Sequence, residues 1–250
     1  VSHGDEQPSL VLDAGTGLQR LSRELAGQAF HGTILLGHLH WDHTHGLPFF
    51  PGGDNPDSEV RLGIPVQEGQ VGPPEVMLER FMSPPAFPIT PHQLRGKWEF
   101  LGLEPGDHVF EGFDVMVREI PHKGGRTLGF RVTDGGRSFA YLSDHSPVAF
   151  GDGPDGLGEY HPAALELARG VNVLVHDAQH TIEEYALKRD WGHSAVEYAI
   201  GLGVEAGVGE VVLFHHDPPR TDDQLDAIVA AHANDPVDVI AAREGLVLEI

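Results

Sequence analysis

His38-Leu39-His40-Trp41-Asp42-His43 places four possible metal ligands within six residues, directly after the short apolar run Thr33–Leu36 and Gly37. In a turn that follows a strand, the alternate residues His38 and His40 can converge on one cation. Asp42 and His43 can then face a second cation beside it. Neutral imidazole and carboxylate suit Zn²⁺, and also Mn²⁺ or Fe. The plainer explanation is a polar loop in a chain with 17 histidines. The compact spacing behind a buried strand favours the metal. The chain has no cysteine, so disulfides and thiolate ligands are excluded and any metal is held by His and carboxylate.

The H-x-H-x-D-H run resembles the metallo-β-lactamase superfamily, whose members fold as an αββα sandwich, and later motifs follow in that family's order. Asp13 in LDAGTG matches the early aspartate, usually structural. His122 in EIPHKGG stands where the third histidine does. Asp144 in YLSD matches the aspartate that bridges two metals, and His215 in LFHHDP matches the last ligand. The resemblance covers nearly the whole chain. It implies one metal held by His38, His40 and His122, a second held by Asp42, His43 and His215, and Asp144 between them. Asp144 is preferred to its neighbour His145 because a carboxylate can bridge two cations and an imidazole cannot. His215 is preferred to His216 because it follows the strand directly, and adjacent residues of an extended chain point to opposite sides.

A finer resemblance lies in residues 176–218. There Gly192-His193-Ser194 before a helix is similar to the ribonuclease Z and phosphodiesterase branch, in which this histidine reaches the scissile phosphate. The residue after the serine is usually Thr in ribonuclease Z, and here it is Ala195. Ribonuclease Z also carries a long tRNA-gripping arm, commonly between the third histidine and the bridging aspartate. Only residues 123–143, 21 in all, lie there, and two strands with a hairpin turn fill them. The first Gly-rich strand of the family pattern is missing ahead of Asp13.

The resemblance therefore implies a phosphodiesterase with two divalent cations, acting on a small phosphodiester such as a cyclic nucleotide. A hydroxide held between the cations would attack phosphorus in line with the leaving oxygen. His193 would bond a phosphoryl oxygen or protonate the leaving alkoxide, Asp42 would orient the hydroxide, and Asp177 would orient His193. The alternatives are an RNA 3′-end nuclease of the ribonuclease Z type, a lactonase or thioesterase, and a metal-binding protein without activity. Only His193 argues against the acyl hydrolases. His45, His145, His176, His180 and His216 are read as supporting or surface groups, Trp41 and Trp191 as core or pocket wall, and Gly124-Gly125 as a turn.

These residues need strands to end beside one another. Ser9–Leu12, Thr33–Leu36, Val60–Val66, Trp98–Leu103, Val109–Ile120, Leu128–Thr133, Ser138–Leu142, Val171–Val175, Val211–Phe214 and Leu246–Ile250 read as strands. Leu18–Ala26, Pro73–Met82, Thr181–Lys188, Ser194–Glu205 and Thr221–Ala233 read as helices, and the proline-rich 73–91 segment is a lid or a surface loop. Early strands with few helices, then strands alternating with helices, fit a single α/β domain over 1–250: two sheets face to face with helices outside, the four-layer αββα sandwich.

The 250 residues carry 16 Lys plus Arg against 38 Asp plus Glu, a net charge of −22. That argues against a grip on long nucleic acid, which needs cationic stripes. A local metal centre can still attract a small anion. No apolar run reaches membrane length. No leader is visible, but a chain opening at Val1 says little about compartment; the expectation is a cytoplasmic protein without membrane association. Relatives are often homodimers; the sequence itself sets no oligomeric state.

Overall fold

The computed structural model describes residues 1–147 and 151–250. The chain divides into two compact units, one of Val1–Glu104 with Val109–Gly112, the other of Pro105–His108 with Phe113–Ile250.

In the first unit, four apolar runs become β1 (Leu10–Leu12), β2 (His31–Leu35), β3 (Glu59–Pro65) and β4 (Lys97–Leu103), an all-parallel sheet in the order β1-β2-β3-β4. Helix α1 (Leu18–Glu24) connects the first pair. Phe30, Ile34, Leu36, Leu62, Ile64 and Leu78 form the core of this unit. The β2 residues Thr33, Ile34 and Leu35 are fully buried, as expected of a central strand in a parallel sheet. The proline-rich segment contributes only a short helix, α2 (Val76–Glu79). Leu78 and Met82 are buried and anchor it, while Pro84, Pro85 and Ala86 stay exposed.

The second unit holds a seven-stranded sheet in the order β11-β10-β9-β8-β7-β6-β5. Its strands are β5 (Gly106–Phe110), β6 (Phe113–Ile120), β7 (Thr127–Asp134), β8 (Arg137–Leu142), β9 (Val173–Asp177), β10 (Glu210–Phe214) and β11 (Asp238–Ala241). Strands β6, β7 and β8 run antiparallel, and β8 to β11 run parallel. Helices α3 (Pro162–Ala168), α4 (Ile182–Lys188), α5 (Val196–Ala206) and α6 (Asp222–Ala231) complete it. Leu142, Leu167, Leu174, Tyr198, Leu202 and Leu213 are fully or nearly fully buried in its core.

The mixed α/β class with two sheets and helices agrees with the sequence. Two local expectations do not hold, and one helix was not expected. Val109–Ile120 is two strands, because Glu111 and Gly112 both take positive φ (51° and 85°) and turn the chain; the continuous Val/Phe/Ile run hides that two-residue turn. Leu246–Ile250 is not a strand. β11 takes the place beside β10, and Val247 is 81% exposed. The sequence reading missed α3, which Pro162 opens at a first-turn position that needs no backbone N–H.

Candidate functional site

In the first unit the chemistry-bearing loop starts where buried β2 ends. Asp13, at the end of β1, holds it there. Its Oδ1 accepts from Gly37 N–H at 2.7 Å, and its Oδ2 lies 2.8 Å from His43 Nδ1. Burial pushes the Asp13 carboxyl up, but the charge and hydrogen bond of His43, the Gly37 N–H and His38 outweigh it, so the group sits below its usual range. Asp13 itself takes φ of +63°. With Nδ1 facing Asp13, His43 has Nε2 left as the nitrogen that could serve a cation.

Backbone bonds lock the rest of the loop. Ala14 N–H donates to His43 O and Gly46 N–H donates to Ala14 O, both at 2.8 Å. A Cβ on Gly46 would lie 1.9 Å from Gly15 O, so only glycine fits there. The 3-10 turn Trp41–His43 then gathers the donors. The His38 ring centroid is 4.4 Å from that of His40 and 4.3 Å from that of His43. Asp42 Oδ2 is 3.3 Å from His43 Nε2. His38 and His43 are buried, whereas His40 and Asp42 are exposed.

In the second unit the sheet does the gathering. Strands β8, β9 and β10 are parallel and in register, with Leu142 opposite His176 and Asp177 opposite Phe214. Their carboxyl ends therefore lie side by side, the usual place for a ligand site in a parallel sheet. Asp144 follows β8, Asp177 ends β9, and His215 follows β10 at φ of +54°. β6 runs in the same direction as β8, so His122 emerges at the same edge.

The resulting cluster is tight. His122 Nε2 and His215 Nε2 each lie 3.5 Å from Asp144 Oδ2. One ligand atom from each of Asp144, Asp177, His193 and His215 falls within 4.8 Å of the others. His122 Nδ1–H donates to Gly192 O at 2.6 Å, which turns its Nε2 toward Asp144. The Gln179 amide lies 3.1 Å from His215 Nδ1. His216 turns away, with Nε2 3.1 Å from Ala242 O.

His193 has a different support. Its Nδ1 lies 2.8 Å from Asp177 Oδ2. Asp177 is fully buried, and its carboxylate also accepts backbone N–H bonds from His145 and Gln179, both at 3.1 Å. With its oxygens occupied in this way, Asp177 acts as an anchor for the His193 ring rather than solvating a strand end. The His193 ring stacks on His215 at 4.8 Å and 16°. The Gly-His-Ser residues have separable tasks. Gly192 takes φ of +102° and offers its carbonyl to His122. Ser194, fully buried, donates to His145 O at 2.6 Å, so its hydroxyl fixes the loop and is no nucleophile. Ala195 is the N-cap of α5 and provides no side-chain cap.

Behind this edge, His145 and His176 are fully buried. Burial first, then His176, His161 and His122, drive the His145 pKa well down, so it is neutral at pH 7. Its Nε2 lies 3.1 Å from the Tyr198 hydroxyl. His180 is also fully buried, and its pKa is lowered chiefly by burial. Trp41 and Trp191 are exposed at 66% and 60%, so neither is core. Gly124 and Gly125 have positive φ (97° and 131°), as a turn after β6 requires. Gln179 was not foreseen from the sequence, since nothing local marks it as a neighbour of His215.

The residues fit divalent cations. The donors in each unit are imidazole nitrogens and carboxylate oxygens, and hydrogen bonds at His43 and His122 Nδ1 leave Nε2 as the nitrogen that could serve a cation. Among the described residues, no helix is long and apolar enough to cross a membrane.

Comparison with known proteins bears on the fold and the family. The chain is 28% identical over 262 aligned positions to ribonuclease BN of Escherichia coli O6:K15:H31 (strain 536), covering 86% of this chain and 80% of that protein. It resembles the crystal structure of the metallo-beta-lactamase fold protein YhfI from Bacillus subtilis, with a TM-score of 0.71, 18% identity, and coverage of 96% and 87% of the two chains. It also resembles a diphosphatase of the PhnP family, with a TM-score of 0.64, 17% identity, and coverage of 96% and 79%. Residues 9–216, which run through both units and include every proposed ligand, match the family described as a beta-lactamase superfamily domain, and the chain belongs to that family.

Proposed function

We propose that the protein is a two-metal phosphodiesterase acting on a small phosphodiester. The ligands in this reading are His38, His40 and His122 for one cation, Asp42, His43 and His215 for the other, and Asp144 for both. When bound, divalent cations such as Zn²⁺ supply an activated water at neutral pH and neutralise charge on phosphoryl oxygens.

The observation that carries the reading is the Asp177–His193 pair, 2.8 Å apart beside Asp144 and His215. Asp177 keeps the Nδ1 proton of His193, so Nε2 is the atom presented to substrate. With the ring as imidazolium, its Nε2–H donates to a phosphoryl oxygen or passes its proton to the departing alkoxide, leaving the neutral Nδ1–H ring on Asp177. Asp42, exposed at the loop surface, orients the attacking water. The resemblance of Gly192-His193-Ser194 to the phosphodiesterase branch speaks against a lactonase or thioesterase.

The similarity to ribonuclease BN supports a second reading, cleavage at RNA 3′ ends. The span from His122 to Asp144 is filled by β7, its hairpin turn and β8, leaving no arm there. The net charge of −22 also disfavours a long polyanion. Strong, salt-dependent binding of tRNA would favour this second reading.

The deciding experiment uses metal-quantified protein with bis(p-nitrophenyl) phosphate, a p-nitrophenyl ester and a lactone as substrates. We expect diester cleavage that needs about two metals per chain, and a loss of ~10²-fold or more in turnover for His193→Ala with metal content unchanged. Ester or lactone cleavage indifferent to His193 would overturn the proposal.

A further inference from the structure

We infer that Gln179 is the positioning residue of His215, its amide turning to suit the proton on that ring and so setting the affinity of the cation that His215 would hold; the inference rests on the two-metal reading above, in which His215 is a ligand. The β9–β10 ladder brings the two side by side. Asp177 stands opposite Phe214, and Ala178 N–H donates to Phe214 O at 2.9 Å, so the pairing runs one residue past β9. Gln179 follows, beside the first residue past β10, and its Nε2 lies 3.1 Å from His215 Nδ1. The Gln179 backbone is tied at both ends. Its N–H donates to Asp177 Oδ1 at 3.1 Å, and its O accepts from the Arg220 guanidinium at 3.1 Å. The residue is only 8% exposed. A tied backbone and a buried stem leave the amide chiefly the rotation about its last bond, which has two nearly equivalent settings.

The chemistry of the ring gives both settings a use. An imidazole that binds a cation through Nε2 carries its proton on Nδ1, and the partner there must accept. His43 and His122 meet groups that only accept, the Asp13 carboxylate and the Gly192 carbonyl. His215 meets an amide, which donates at one end and accepts at the other. With the His215 proton on Nε2, 3.5 Å from Asp144 Oδ2, the amide N–H donates to Nδ1. With the proton on Nδ1, a half-turn brings Oε1 to the same place to accept it. Glutamine serves both states of the ring. Glutamate serves only the second, and leucine serves neither.

The test titrates metal-stripped protein with Zn²⁺ against a competing chelator, which resolves the two binding steps. Gln179→Leu should weaken one step by about 10–100-fold and leave the other in place. Gln179→Glu, which still accepts from Nδ1–H, should recover most of the loss. Weakening of both steps together, two unchanged steps in Gln179→Leu, or a glutamate no better than leucine overturns the assignment. A second readout needs no metal. In metal-free protein carrying ¹⁵N-labelled histidine, the ring shifts show which nitrogen of His215 holds the proton. Gln179→Glu should fix a proton on Nδ1, and Gln179→Leu should not. Ring signals alike in both variants and the wild type overturn the proposal. If the wild type takes up fewer than two cations, the two-metal reading fails instead, and the ring signals alone then decide the part played by Gln179.

Discussion

At the scale of single residues, three of the proposed site histidines are each oriented by a partner at Nδ1. Asp13 holds His43, Gly192 O holds His122, and Asp177 holds His193. Such partners commonly tune metal affinity by about 10–100-fold. Asp13→Ala should therefore weaken metal binding by roughly that factor, read by competition with a chelator, and unaltered affinity would show that the loop backbone alone sets His43. These links were only partly legible. The ligand run is local, so its six residues declare themselves. Asp13 was visible as a recurring early aspartate, but its bond to His43 spans 30 positions. The Gly192–His122 contact spans 70 and left no local mark.

At the scale of elements, parallel strands that end together explain why residues scattered from 122 to 215 meet. Periodicity revealed most of those strands because their cores are apolar and their ends carry turn residues. It failed where a two-residue turn interrupted one apolar run, at Glu111-Gly112, and where a short helix hid behind Pro162. Helix α4 shows how an element near the site is fastened. Thr181 and Glu184 form a capping box, and Arg220 pairs with Glu184 at 2.6 Å while also donating to Gln179 O at 3.1 Å. The Arg220 bond above all, against a smaller opposing effect of burial, lowers the Glu184 pKa to about 2. A depressed carboxylate stabilises the fold above its unfolded pKa, and that contribution disappears as pH falls from about 4.5 through about 2. Glu184→Gln keeps a capping partner but loses the charge. It should cost up to ~1 kcal/mol at pH 7, with the difference from wild type vanishing in denaturant titrations near pH 2.

At the scale of the whole molecule, the acidic excess sets the response to salt. A net charge of −22 repels itself, and ionic strength screens that repulsion over ~10 Å at 0.1 M. Thermal midpoints should rise by a few degrees, the equivalent of ~1 kcal/mol, between low salt and ~0.2 M NaCl measured by calorimetry. A falling midpoint would mean that the paired surface charges dominate instead. Composition alone showed this property, and the fold class followed from the order of apolar runs.

The all-parallel sheet of the first unit has a kinetic consequence. Its spatial order, β1-β2-β3-β4, is also its order along the chain. Each strand pairs with the one made just before it, at separations that grow only from 23 residues for Leu10 and Thr33 to 38 for Glu59 and Lys97. Closing the longest of these loops costs only ~0.4 kcal/mol more than closing the shortest. This sheet can therefore be laid down strand by strand during synthesis, with no strand waiting for a distant partner.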